Sequence, residues 1–182
     1  MYKRQLSGYE VIAICSPHNF DYVKSLGASA VFDYNAPSCA KDLKAQYPDV
    51  KHAMDCISAG ESADVTVAAM SSSGGLYTTL VPVPAEKVKD INNKVEMKMT
   101  LAYTIFGEDF KFGSNQVPAK EEDFQFGKKF WEIAREFLES GKLKVHKPAV
   151  NKYGGSGFEG ILTGMQTMRE GKVSGEKLVY TL

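Results

Sequence analysis

Three features of the sequence predict an α/β fold with a parallel sheet of doubly wound type. Apolar, β-rich runs alternate with amphipathic stretches. Gly, Pro and Ser clusters separate them. The early runs are continuous rather than alternating, as in strands covered on both faces. The chain has 182 residues, enough for one ordinary domain with a sizeable core.

The elements follow in order. Tyr9–Cys15 (YEVIAIC) reads as a buried strand. Ser16 fits an N-cap and Pro17 the first helical position, and Phe20, Val23 and Leu26 share one face of the helix that follows. Gly27 stands where a left-handed C-cap belongs. Ala30–Phe32 is the next strand, Ser38–Tyr47 a helix ending before Pro48, and His52–Ile57 (HAMDCI) a strand. Glu61–Met70 is a helix, Ser71–Gly75 a loop, Leu76–Val81 a strand and Val95–Tyr103 an outer strand. Thr104–Lys120 has three phenylalanines, two glycines and a proline without sustained periodicity, which predicts a long mobile loop along a binding surface. Glu121–Ser140 is the longest helix, with an acidic first turn and an apolar face of Phe130, Trp131, Ala134, Phe137 and Leu138. Gly157–Glu170 is the last helix and Lys177–Leu182 the last strand.

Composition excludes several classes. The 22 basic residues balance the 22 acidic ones, so no charge excess points to nucleic acid or a membrane surface. No run is long and apolar enough to span a bilayer, and MYKRQLSG lacks the apolar core of a signal peptide. Cys15, Cys39 and Cys56 are widely spaced and odd in number, without Cys-x-x-Cys or nearby His, which predicts idle thiols in a reducing, cytoplasmic setting and no metal site. His52 and His146 read as a strand-end and a loop residue.

The strand Tyr9–Cys15 ends in Ser16-Pro17-His18-Asn19. In a dinucleotide-binding fold an acidic residue at such a tip accepts the 2′-hydroxyl of the adenosine ribose and selects NAD. Here a hydroxyl, an imidazole, an amide and helix-terminal amides stand instead, which suits a 2′-phosphate and favours NADP. A plain helix cap at Ser16 and a surface role for His18 satisfy the same residues. Tyr34, ending the next strand, faces the adenine edge in this topology or is a half-buried strand-end tyrosine. No G-x-G-x-x-G occurs. Ser71-Ser-Ser-Gly-Gly75 follows a helix and precedes a strand, so it is a connection and not a phosphate loop.

SPHNFDYVKSLGASAVFDY, HAMDCI, GGLYTTLVPVP, YTIFGEDFKFG, FWEIAREFLESGKLKVH and REGKVSGEKLVYTL cover nearly the whole chain in order. Together they resemble the C-terminal, NADP-binding half of a medium-chain dehydrogenase/reductase, in the fungal trans-acting enoyl reductase or zinc-binding-dehydrogenase-like branch. The resemblance implies a Rossmann-like domain over residues 1–182, with a return segment at 140–182. It implies a cofactor site of Ser16, Pro17, His18 and Asn19 at the 2′-phosphate and Tyr34 at the adenine. Leu80 and Val81 would line the nicotinamide side, and Val173 and Ser174 would close over the cofactor. Tyr103, Thr104, Ile105, Phe106 and Gly107 would border an acyl-substrate pocket. Members of this branch generally reduce without a metal, and a polyketide synthase is the partner the resemblance suggests. The catalytic residues stay unassigned.

MYKRQLSGYEV aligns with the end of the family's first Rossmann helix, so the first strand, the glycine-rich loop and the N-terminal GroES-like catalytic domain are expected to be absent. With strand order 3-2-1-4-5-6, the absent strand is central. Two arrangements are then open, and the cost of unpaired buried backbone favours direct pairing of Tyr9–Cys15 with His52–Ile57. Three functional readings follow: an NADPH-dependent oxidoreductase reducing an activated double bond, a non-catalytic Rossmann-like interaction module, or a truncated product without function of its own. The chain alone is expected to bind NADP weakly or not at all, to be only marginally stable and to lack activity.

Overall fold

The structure, a computed structural model, describes residues 8–182. Met1–Ser7, the start of the segment aligned with a family helix, lies outside the described residues. Strand β1 (Ile12–Ile14) leads through a 3-10 turn (Pro17–Asn19) into helix α1 (Phe20–Ser25), and β2 (Ala30–Phe32) returns parallel to β1, with Ile12 opposite Ala30. Helix α2 (Cys39–Gln46), β3 (His52–Asp55), α3 (Ser62–Ala69), β4 (Gly75–Thr79), α4 (Ala85–Ile91) and β5 (Val95–Met99) form the next unit. Its sheet is parallel in the order β3-β4-β5, with His52 opposite Leu76 and Leu76 opposite Glu96. The sequence pattern therefore marks the alternation correctly, but it overlooks α4, whose only buried residue is Val88.

The core lies between this sheet and its helices. Ala63 and Val67 of α3, Met70 after it, Tyr77 of β4, Val88 of α4 and Val95 of β5 pack together, with Val50, Ala53, Val83, Ile91 and Met97 around them. Tyr77 is wholly buried, and an aromatic ring of this size is among the largest apolar contributions a residue makes. The Ser71–Gly75 connection is a close backbone crossing. A Cβ on Gly74 would stand 2.1 Å from the Lys94 carbonyl oxygen, and Gly74 has φ +90. Glycine is required there by space and by conformation.

The expected closure of the sheet does not occur. Among the described residues β1 pairs with β2 alone, and β3 pairs with β4 alone. The two units touch where the Tyr9 and His52 rings meet edge to face, with centroids 5.5 Å apart. The expectation assumed buried strand edges. Instead β1 is only partly buried along its length, and His52 and Met54 of β3 are exposed. Backbone groups at such wet edges bond to water, so the cost of leaving them without a strand partner is small.

Thr104–Lys120 is regular rather than loop. A 3-10 helix (Ala102–Phe106) precedes an antiparallel hairpin of β6 (Phe110–Phe112) and β7 (Asn115–Val117), with Phe112 opposite Asn115. Gly113-Ser114 is the turn, a two-residue hairpin signal that flanking strands of three residues concealed. Helix α5 (Glu121–Glu139) packs on the 3-10 helix, and a Cβ on its Gly127 would stand 3.2 Å from the Ile105 side chain. Of its expected apolar face only Ala134 is buried, while Trp131 is 62% exposed. Strand β8 (Pro148–Val150), missed in the sequence, helix α6 (Gly157–Arg169) and β9 (Lys177–Val179) close the chain as a small parallel unit.

Candidate functional site

The turn after β1 is a cluster of mutually bonded polar side chains. Ser16 precedes the 3-10 turn, yet its hydroxyl makes no capping bond; it meets the Tyr34 hydroxyl at 3.0 Å. The plain cap is therefore not what Ser16 does here. His18 Nε2 lies 2.9 Å from the Ser174 hydroxyl, and the Asn19 side-chain amide donates to the same oxygen at 3.0 Å. Residues 155 apart in the chain thus meet at one point. Pro17 and His18 are exposed, as a ligand-facing turn requires.

Two constraints bring Ser174 to this turn. Glu176 bonds Lys152 Nζ through both oxygens, at 2.7 and 2.9 Å, and accepts from the Tyr153 hydroxyl at 3.0 Å. The Lys152 hydrogen bond holds the Glu176 carboxyl below its ordinary range. Gly175, at φ +66, then passes so close that a Cβ would stand 2.5 Å from Asn19 Oδ1. Val173 is partly buried in this loop. The Tyr22 hydroxyl, from α1, adds an acceptor for the Lys147 amide at 3.3 Å.

No acidic side chain belongs to the cluster itself. The nearest in sequence, Asp33, accepts from the Asn35 backbone and side-chain amides at 2.9 and 3.0 Å. Burial, with Asp33 second, pushes the Cys15 thiol up, and burial likewise raises Cys39, so both stay protonated and inert at neutral pH. Cys56, by contrast, is exposed. Among the described residues no group of three or more His, Cys, Asp or Glu can hold a metal ion, and no helix is long and apolar enough to cross a membrane.

Leu80 and Val81 follow β4 and are 37% and 41% exposed, at the C-terminal ends of the parallel strands where ligands bind in such sheets. Beneath them lies a buried polar group that the sequence did not single out. Asp55, the last residue of β3, accepts from the amides of Ile57 and Ser58 at 2.9 and 2.7 Å, from the Ser62 hydroxyl at 2.7 Å and from the Tyr77 hydroxyl at 2.9 Å. Burial raises its pKa, but these bonds outweigh burial and leave it below the ordinary carboxylate value. Tyr77 is raised in turn, first by burial and then by Asp55. An acid inside the apolar run His52–Ile57, with serines three and seven residues later, was the available signal.

The five candidate substrate residues divide. Tyr103 and Phe106 are exposed and line a cleft of about 440 Å³ with Phe110 and Phe112. The Tyr103 and Phe110 rings meet edge to face at 5.9 Å. Thr104 is buried and donates to the Leu101 carbonyl at 3.0 Å, and Ile105 faces α5, so both hold the 3-10 helix rather than line the cleft. Gly107 ends that helix at φ +70. A second cleft, at Lys44, Ser72, Lys89 and Asn92, lies at the N-terminal ends of the strands, away from every candidate residue.

No family model matches the sequence. It is 42% identical over 180 residues to "Lovastatin nonaketide synthase, enoyl reductase component lovC" of Aspergillus terreus, covering 98% of this chain and 48% of that one. It is 39% identical over 178 residues to a trans-enoyl reductase of Macrophomina phaseolina, covering 97% and 49%. The chain thus spans about half the length of these relatives. Among solved structures, a putative NADPH:quinone reductase from Bacillus thuringiensis aligns with a TM-score of 0.69 at 14% identity, over 100% of this chain and 51% of that one. An enoyl reductase-type cyclopropanase of the curacin A pathway aligns at 0.67 and 20% identity, over 98% and 50%. Such likenesses carry the fold alone.

Proposed function

We propose that this chain, a relative of the fungal trans-enoyl reductases over nearly its whole length, is the NADP-binding part of an enoyl-reductase-like oxidoreductase. The observation that carries the reading is the junction of His18, Asn19 and Ser174, with Ser16 and Tyr34 beside it. Donors without a carboxylate among them fit the 2′-phosphate of NADP and not the bare ribose of NAD. When bound, the reduced cofactor would supply a hydride to one carbon of the double bond, solvent would supply the proton to the other, and the reaction needs no further redox group from the protein.

The chain's residues then have distinct tasks. Ser16, His18, Asn19 and Ser174 donate to the phosphate, and Pro17 keeps the turn's start rigid. Tyr34 borders the adenine. Val173 holds the closing loop against the site, while Leu80 and Val81 present an apolar wall and backbone to the nicotinamide. Tyr103, Phe106 and Gly107 border the pocket for an acyl chain whose activated double bond is reduced. Thr104 and Ile105 serve that border indirectly, by holding the 3-10 helix. By relation to a component of a nonaketide synthase, the partner that delivers the acyl chain is a polyketide synthase. Hydride transfer is proposed of the assembled enzyme, not of this half alone.

Titration of the chain with adenosine 2′,5′-bisphosphate and with 5′-AMP tests the reading. The bisphosphate should bind about tenfold more tightly, and Ser16→Asp should erase the difference by setting a carboxylate against the phosphate. Equal or tighter binding of AMP would overturn it. A second reading, an interaction module without catalysis, is favoured by one observation: Phe158, Leu162 and Met165 form an exposed apolar stripe on α6, with Phe158 75% exposed.

A further inference from the structure

We propose that Asp55 is a positioning residue for the nicotinamide side of the site: through Ser58 it fixes the Leu80 amide and the Leu80–Val81 backbone. The inference rests on the cofactor reading above. Asp55 is 6% exposed and meets donors from three places: its own turn, the start of α3 through Ser62, and β4 through Tyr77. One carboxylate therefore ties β3 to β4 and α3 at the strand ends where ligands bind.

Ser58 transmits this arrangement outward. Its amide donates to Asp55 Oδ1 at 2.7 Å and its hydroxyl to the Asp55 carbonyl at 2.8 Å. The same hydroxyl accepts the Leu80 amide at 3.2 Å. Ser58 has φ +51, a left-handed conformation that a non-glycine residue holds only where its surroundings over-determine it. Here the surroundings are the Asp55 turn. Replacing a buried charge by well-packed apolar residues is often neutral for stability. What the charge adds is a fixed place for one exposed strand end.

Ser58→Gly separates positioning from folding. Glycine accepts the left-handed backbone freely, so the fold is kept, but the link to Leu80 is lost. Three quantities are measured on the full chain: exchange of the Leu80 amide by NMR, affinity for NADPH, and affinity for adenosine 2′,5′-bisphosphate. The expected result is Leu80 exchange about tenfold faster and NADPH binding about tenfold weaker, with bisphosphate binding unchanged. Asp55→Asn should move the same two quantities in the same direction. Unchanged Leu80 exchange in Ser58→Gly overturns the positioning role whatever the ligands do. So does an equal loss of both ligands, or a loss of neither. Failure of the unaltered chain to bind the bisphosphate instead overturns the cofactor reading on which the role depends.

Discussion

At the turn after β1 the polar side chains are open to solvent and bond to one another; at the ends of β3 and β4 a carboxylate is buried and its bonds point inward. His18, Asn19 and Ser174 hold each other in place with groups that a bound phosphate would take over. Asp55 offers no such group, because Ile57, Ser58, Ser62 and Tyr77 already use its oxygens. On the proposed reading, the first region contacts a ligand and the second holds a backbone still. The difference predicts that substitutions in the first alter binding with little effect on stability, and that substitutions in the second do the reverse unless they spare the fold.

Asp55→Ala should have the largest effect. It strands the buried Tyr77 hydroxyl and the Ser58 amide, and a loss of about 3 kcal/mol is expected in urea unfolding. A loss below about 1 kcal/mol would mean that the buried bonds do not support the core. The same region contributes to acid sensitivity. Because the folded pKa of Asp55 is lowered, its stabilisation is complete above the ordinary carboxylate range. It fades as pH falls through the lowered value. Glu176, lowered chiefly by the Lys152 hydrogen bond, acts with the same sign. Unfolding midpoints followed from about pH 6 to about pH 3 should fall less steeply in Asp55→Asn than in the unaltered chain.

Gly175→Ala sharpens the comparison from the other side. Its Cβ would displace Asn19, so bisphosphate affinity should drop about tenfold while Leu80 exchange stays as it was. Movement of both would mean the two regions are coupled. Thr79→Val comes next: among the described residues the buried Thr79 hydroxyl has no hydrogen-bond partner, and replacing it should raise stability by about 1 kcal/mol. Ser174→Ala is the smallest. It should weaken bisphosphate about threefold and leave the melting temperature within error, since the exposed bonds it removes are exchanged for water.

Much of this was legible along the chain. Ser16-Pro17-His18-Asn19 and Gly27 specify a turn and a helix end from neighbours a few residues away. The alternation of β-rich and amphipathic stretches specifies parallel strands for the same reason, because periodicity is a local property. The apolar side of α5 was equally readable, but not what covers it: Trp131 stays exposed. The hairpin at Phe110–Val117 was missed because strands of three residues hold too little period to detect.

Tertiary structure alone decided the partners. Asp55 meets Tyr77 from 22 residues away, and Asn19 meets Ser174 from 155 away. It also decided that β1 and β3 remain in separate sheets, since pairing depends on whether their edges are dry, and burial is a property of the packed chain. Local sequence determines which backbone conformations are cheap; which distant polar groups share an oxygen depends on where those cheap segments come to rest.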